Sequence, residues 1–125
     1  MTRFMMSIND ATNLVELALV NGHHGDILIK AGKPCKIGDL AKAVCVFSNT
    51  IEDYPIKIIG ARPGEKIYES LLAPEEEHAA KIIDEYICIP YLKEEGSKPC
   101  NFEASNYMEI SEIIEMIKTC DFWRE

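Results

Sequence analysis

Arg62 and Glu65 flank a Pro63-Gly64 pair within the stretch Gly60-Ala61-Arg62-Pro63-Gly64-Glu65-Lys66-Ile67-Tyr68-Glu69. Pro63 fixes its own φ and Gly64 admits a left-handed backbone, so the pair makes a tight turn that holds both charged side chains on one rigid corner. A guanidinium presents a fork of N–H donors that matches two phosphate oxygens at once. A carboxylate a few residues further on accepts hydrogen bonds from sugar hydroxyls, as the ribose-binding acid of dinucleotide sites does. Arg62 and Glu65 together suggest a nucleoside diphosphate, one residue on phosphate and the other on ribose. The same residues also make an ordinary solvated turn with a surface charge pair. Local chemistry leaves both readings open.

The elements that must position this corner follow from periodicity and punctuation. The run Ile56–Ile59 predicts a buried strand leading into it, ended by Gly60, and Glu65–Leu72 predicts a short helix leading out. Upstream, Met1–Met6 is apolar apart from Arg3 and has no evident partner. Ser7 caps a helix in which Ala11, Leu14, Val15, Ala18 and Leu19 form the apolar stripe, and Asn21-Gly22 stops it. Asp26–Ala31 reads as a strand, closed by a Gly32-Lys33-Pro34 turn. Ile37–Val44 returns to helical spacing with Ile37, Leu40, Ala41 and Val44 on one face, and Val46–Tyr54 is loop. Downstream, Ala73-Pro74 with Glu75, Glu76 and Glu77 starts another helix. Asp84–Pro90 reads as an edge strand because proline ends it. Lys93–Asn101 has loop composition, Ser105-Asn106-Tyr107 is turn-like, and Ser111 caps a terminal helix. The sum is a small α/β (α+β) unit of short strands and about five helices.

The chain has 125 residues, enough for one domain, and 47% hydrophobic content, enough for one modest core. Its net charge of −8 argues against nucleic acid or an anionic membrane surface as a partner. No apolar run approaches the roughly 20 residues of a membrane span, and the first residues carry no signal-peptide pattern, so a cytoplasmic protein is expected. Five widely spaced cysteines without a Cys-x-x-Cys pair predict reduced thiols rather than a disulfide framework or structural zinc. His23-His24, between Gly22 and Gly25, has no third ligand in view and reads as a loop rather than a metal site. No dinucleotide Gly-x-Gly-x-x-Gly fingerprint, Tyr-x-x-x-Lys pair, nucleophile elbow or His-Glu-x-x-His is present, so no catalytic constellation is complete.

Three separated stretches carry a family resemblance: Met1-Thr2-Arg3-Phe4 with Ser7-Ile8-Asn9-Asp10-Ala11, then Lys36-Ile37-Gly38-Asp39-Leu40-Ala41, then the Gly60–Glu69 corner. In this order they resemble the C-terminal part of polysaccharide-biosynthesis extended short-chain dehydrogenase/reductases, in particular the UDP-N-acetylglucosamine 4,6-dehydratase/5-epimerases. Asp84–Ile89 and the Ser105-Asn106 step before Glu109–Met116 are similar to the later stretches of that group. The resemblance covers nearly the whole chain. It implies that residues 1–125 are a substrate-binding C-terminal domain without the family's Rossmann half, which holds NAD(P) and the catalytic Tyr-Lys couple. It places Arg3 and Arg62 near the diphosphate of a UDP-sugar and Glu65 on the uridine ribose. No residue matches the cofactor glycines, the catalytic tyrosine and lysine or the dehydration acid. Neither a cofactor nor catalysis is therefore expected of this chain alone. Lys66 and Tyr68 are expected to be structural, and His23-His24 stand where the family tends to have glycines.

Two arginine–phosphate contacts supply about 3–6 kcal/mol before association costs, so binding by the isolated chain is expected to be millimolar or weaker. Without a Rossmann half, an exposed apolar face is expected to drive self-association or pairing with a separate Rossmann chain. A split enzyme and a non-enzymatic interaction module are the alternatives. The joint retention of Arg3, Arg62 and Glu65 argues against the module, since a scaffold has no physical need for all three.

Overall fold

The computed structural model describes residues 1–48, 54–92 and 106–120. Along these, the elements run β1 (Thr2–Phe4), α1 (Ile8–Asn21), β2 (Ile27–Lys30), β3 (Pro34–Lys36), α2 (Ile37–Phe47), α3 (Pro74–Glu77), β4 (Lys81–Ile83), β5 (Tyr86–Ile89) and α4 (Ile110–Thr119). The result is a mixed α/β chain of short antiparallel strands, with four helices among the described residues instead of about five. The chain divides into two compact units, one of Met1–Ser7, Lys33–Glu69 and Ser105–Glu125, the other of Ile8–Gly32 and Ser70–Ala104.

In the first unit the N-terminal stretch finds the partner its sequence does not reveal. β1 pairs antiparallel with β3, setting Thr2 opposite Lys36, Arg3 opposite Cys35 and Phe4 opposite Pro34. The expected Gly32-Lys33-Pro34 turn gives way to a strand that begins at Pro34, a position where a missing N–H is tolerated. The Pro34 carbonyl accepts the Met108 N–H at 3.0 Å. A two-stranded ribbon is marginal by itself, and here it is fixed from behind. Cys35 is fully buried with Ala43 of α2 and with Ile113 and Ile117 of α4, flanked by Leu40, Val44, Phe47 and Met108. The core face of α2 is therefore Leu40, Ala43, Val44 and Phe47, displaced from the expected stripe because the helix runs on to Phe47. Glu109, not Ser111, precedes α4, and its N–H donates to the Glu112 carboxylate at 2.8 Å.

The expected strand at Ile56–Ile59 does not form. Ile58 and Ile59 are 92% and 72% exposed, and no strand pairs with the segment among the described residues. A continuous apolar strand needs cover on both faces, which the described residues do not supply. The expected helix at Glu65–Leu72 is also absent, because its backbone bonds elsewhere. The Ile67 carbonyl accepts the Thr2 N–H at 2.9 Å, and the Lys66 carbonyl accepts from the Arg3 side chain at 3.0 Å. These tertiary bonds replace the local ladder a helix would need.

In the second unit, β2, β5 and β4 form an antiparallel sheet in that order, so β5 is central rather than the expected edge. Pro90 lies just past Ile89, and its missing N–H falls outside the ladder. The helix expected from Pro74 stops at Glu77, and β4 follows. Asp84 and Glu85, expected inside the strand, instead form the two-residue connection of the β4–β5 hairpin, with Asp84 at φ +53. Leu72, Ala80 and Ile87 are buried between Ile29, Ala31, Leu71 and Ile89.

α1 starts directly after Ser7, as expected, but none of its residues is fully buried. Its expected stripe divides: Ala11, Leu14 and Ala18 are half-buried, while Val15 and Leu19 are exposed together with Ile8. The expected turn at Ser105 and the loop at Lys93–Asn101 lie outside the described residues.

Candidate functional site

The Arg62–Glu65 corner is a closed turn. The Glu65 N–H donates to the Arg62 carbonyl at 3.0 Å, and the Glu65 Oε2 accepts the Arg62 N–H at 3.0 Å. Proline at the second position and Gly64 at φ +81 give it the chemistry of a type II turn, where only glycine takes the positive φ without strain. Gly60 at φ +77 bends the chain into the corner. The turn thus ties the Glu65 side chain to the Arg62 backbone and leaves the Arg62 residue exposed, with no ion pair to its guanidinium among the described residues.

Arg3 arrives from β1. Its Nη1 donates to the carbonyls of Thr2 at 2.7 Å and Lys66 at 3.0 Å. Its Nη2 lies 3.9 Å from Glu65 Oε1 and its Nη1 lies 3.7 Å from Glu69 Oε1. Of the three residues singled out in sequence, the structure brings Arg3 and Glu65 together directly and joins Arg62 to them through the turn. Sequence reasoning missed Glu69 and the Lys66 carbonyl. No local signal marks either: residues 65–72 form no helix that would put Glu65 and Glu69 on one face, and nothing local marks a carbonyl. The Arg3 guanidinium is thus flanked by two carboxylates, Glu65 and Glu69.

Elsewhere, His23 belongs to a turn held by Asp26. The Asp26 carboxylate accepts the N–H of His23 at 3.0 Å and of Tyr91 at 3.1 Å, and lies 3.4 Å from His23 Nδ1. These donors, His23 first, hold the Asp26 carboxyl below the ordinary range. No group of three potential metal ligands occurs among the described residues. β2 runs through Ala31-Gly32-Lys33 into another strand, and α2 opens with the single glycine Gly38 rather than a glycine-rich phosphate cradle. No helix among the described residues is long and apolar enough to cross a membrane.

Comparison with known proteins gives consistent matches. The family described as "Polysaccharide biosynthesis protein" matches residues 1–90. UDP-glucose 4-epimerase of Rickettsia massiliae (strain Mtu5) is 36% identical over 141 aligned residues, covering 100% of this chain and 40% of the relative. The probable polysaccharide biosynthesis protein EpsC of Bacillus subtilis (strain 168) is 46% identical over 85 residues, covering 66% of this chain and 14% of the relative. Among solved structures, the X-ray structure of Pen from Bacillus thuringiensis superposes with a TM-score of 0.76 at 29% identity, over 94% of this chain and 38% of that one. The chain therefore spans about 40% of the length of the Rickettsia relative.

Proposed function

The chain belongs to the polysaccharide biosynthesis protein family, and from that premise we propose that it is the nucleotide-sugar-binding, C-terminal part of a UDP-N-acetylglucosamine 4,6-dehydratase-like enzyme. In this reading Arg3 and Arg62 take the diphosphate and Glu65 takes the uridine ribose. The observation that carries it is the meeting at 3.9 Å of Arg3, from β1, and Glu65, from the Arg62–Glu65 turn. Cation and ribose acid are thereby within one nucleotide's reach, with Arg62 on the same turn. The chain binds and orients; the redox and dehydration chemistry, with its NAD(P), belongs to a Rossmann half outside these residues. The names of the Rickettsia relatives favour a second substrate reading, a UDP-hexose 4-epimerase.

The exposed Ile58 and Ile59 support an apolar surface that pairs with a separate Rossmann chain or with a second copy. The absence of a membrane-crossing helix among the described residues is compatible with a cytoplasmic site of action. The test is an NMR titration of the labelled chain with UDP, UDP-N-acetylglucosamine, UDP-glucose and UMP. Shifts at Arg3, Arg62 and Glu65 that are larger for diphosphates than for UMP support the reading, and Arg62→Ala and Arg3→Ala should each abolish them. A preference for UDP-glucose over UDP-N-acetylglucosamine favours the epimerase. No shifts at several millimolar ligand count against nucleotide binding by this chain.

A further inference from the structure

The two edges of the Arg3 guanidinium are in different states. Nη1 spends both of its N–H groups on the carbonyls of Thr2 and Lys66, at 2.7 and 3.0 Å, so the backbone anchors that edge. Among the described residues, Nη2 and Nε donate no hydrogen bond. Glu65 Oε1 faces Nη2 at 3.9 Å, too far for a hydrogen bond and close enough to neutralise it. The other Glu65 oxygen is held at 3.0 Å by the Arg62 N–H, which keeps the carboxylate at this post. Glu69 lies on the anchored side, 3.7 Å from Nη1. One carboxylate thus stands over the half of the fork that a bidentate phosphate would take.

We propose that Glu65 is an internal stand-in for the ligand's phosphate. In the ligand-free chain it neutralises the open edge of Arg3; a diphosphate displaces it and frees it for the sugar hydroxyls. This rests on the nucleotide reading given above and adds a specificity mechanism to it. A bare anion must displace Glu65 and offers it nothing in return. A nucleoside diphosphate displaces it and supplies ribose hydroxyls as new donors. Glu65 therefore selects nucleotides against free pyrophosphate, while Glu69, on the anchored nitrogen, stays where it is.

The experiment titrates inorganic pyrophosphate and UDP into the wild-type chain, Glu65→Gln and Glu69→Gln, followed by NMR at low salt. Glutamine at 65 keeps an oxygen for the Arg62 N–H, and each variant removes one negative charge beside the same guanidinium. Pyrophosphate should bind Glu65→Gln about two- to fivefold more tightly than wild type, the size of a partly exposed ion pair, with a smaller gain in Glu69→Gln. The preference for UDP over pyrophosphate should fall in Glu65→Gln. Equal gains in the two variants would reduce the effect to net charge and overturn the proposal. So would unchanged or weaker pyrophosphate binding in Glu65→Gln alongside UDP binding by wild type, an outcome that leaves the nucleotide reading standing. Binding of neither ligand to any of the three chains overturns the nucleotide reading and the proposal with it. Independently of any variant, the Glu65 carboxylate carbon of wild type should shift when pyrophosphate is added, and a fixed resonance at saturation refutes displacement.

Discussion

Replacing Ile113 with alanine tests whether the packing of α4 on α2 and β3 holds the ribbon that carries Arg3. Ile113 is fully buried, and its buried neighbours are Cys35, Ala43 and Ile117. Cys35 and Ala43 are short side chains on a paired strand and a helix, so neither reaches into a void without moving backbone. The substitution removes three buried carbons, about 2–3 kcal/mol of transfer free energy. A cavity that cannot collapse adds to this, for a total of about 3–4 kcal/mol. Native-state hydrogen exchange on the labelled chain is the assay, read at the slowest amides of Ile37–Phe47 and Ile110–Thr119. At about 1.4 kcal/mol per decade, their protection should fall by roughly 150-fold or more. Ile114→Ala is the comparison: Ile114 flanks the same core but is only half-buried, and should cost about half as much. A loss below about 1 kcal/mol for Ile113→Ala, or one no greater than that of Ile114→Ala, would refute the assigned role of this packing.

Three further outcomes follow from the geometry. Gly25→Ala should destabilise the second unit by about 1–2 kcal/mol in urea unfolding and shift the Tyr91 ring resonances, because φ is +90° and a Cβ would meet that ring at 2.7 Å. Acidification should destabilise the chain through Asp26 and Glu112. The N–H donors of His23 and Tyr91 lower the first, and the Lys33 ammonium, 2.6 Å away, with the Glu109 N–H lowers the second. Folded values below the unfolded ones mean that this stability is fully present above the ordinary carboxylate range and is lost as pH falls through the depressed values. The urea midpoint should therefore hold from neutral pH to about 5 and drop below about 4, less so in Asp26→Asn; a midpoint that rises on acidification contradicts the assignment. Cys35 should resist alkylation until urea unfolds the chain, while Cys45 reacts in the folded state. Burial, then the charge of Asp39, raises the Cys35 thiol, whereas Cys45 is partly exposed. Site-resolved mass spectrometry distinguishes them, and early labelling of Cys35 would show that the β3 core is open.

The sequence by itself determined α1, α2, β2 and the chemistry of the Arg62–Glu65 turn. The helices are marked by 3.6-residue spacing, β2 by a short apolar run between turn residues, and the turn by proline followed by glycine. All are signals a local window contains, although β2 forms only by pairing with β5. The resemblance added Arg3, which no local pattern marks. Only tertiary structure decided the rest. Ile56–Ile59 has strand composition, but a strand exists through its partner, and among the described residues none pairs with it. Glu65–Leu72 has helical spacing, but its carbonyls at Lys66 and Ile67 are taken by Arg3 and Thr2. β5 became central because β4, hidden in a segment expected to continue a helix, folds back on it through Asp84 and Glu85. The candidate site divides the same way: residue type identified Arg62 and Glu65 and the resemblance Arg3, while their mutual geometry and the presence of Glu69 depend on β1 pairing with β3, a contact between segments some thirty residues apart whose free energy no local window contains.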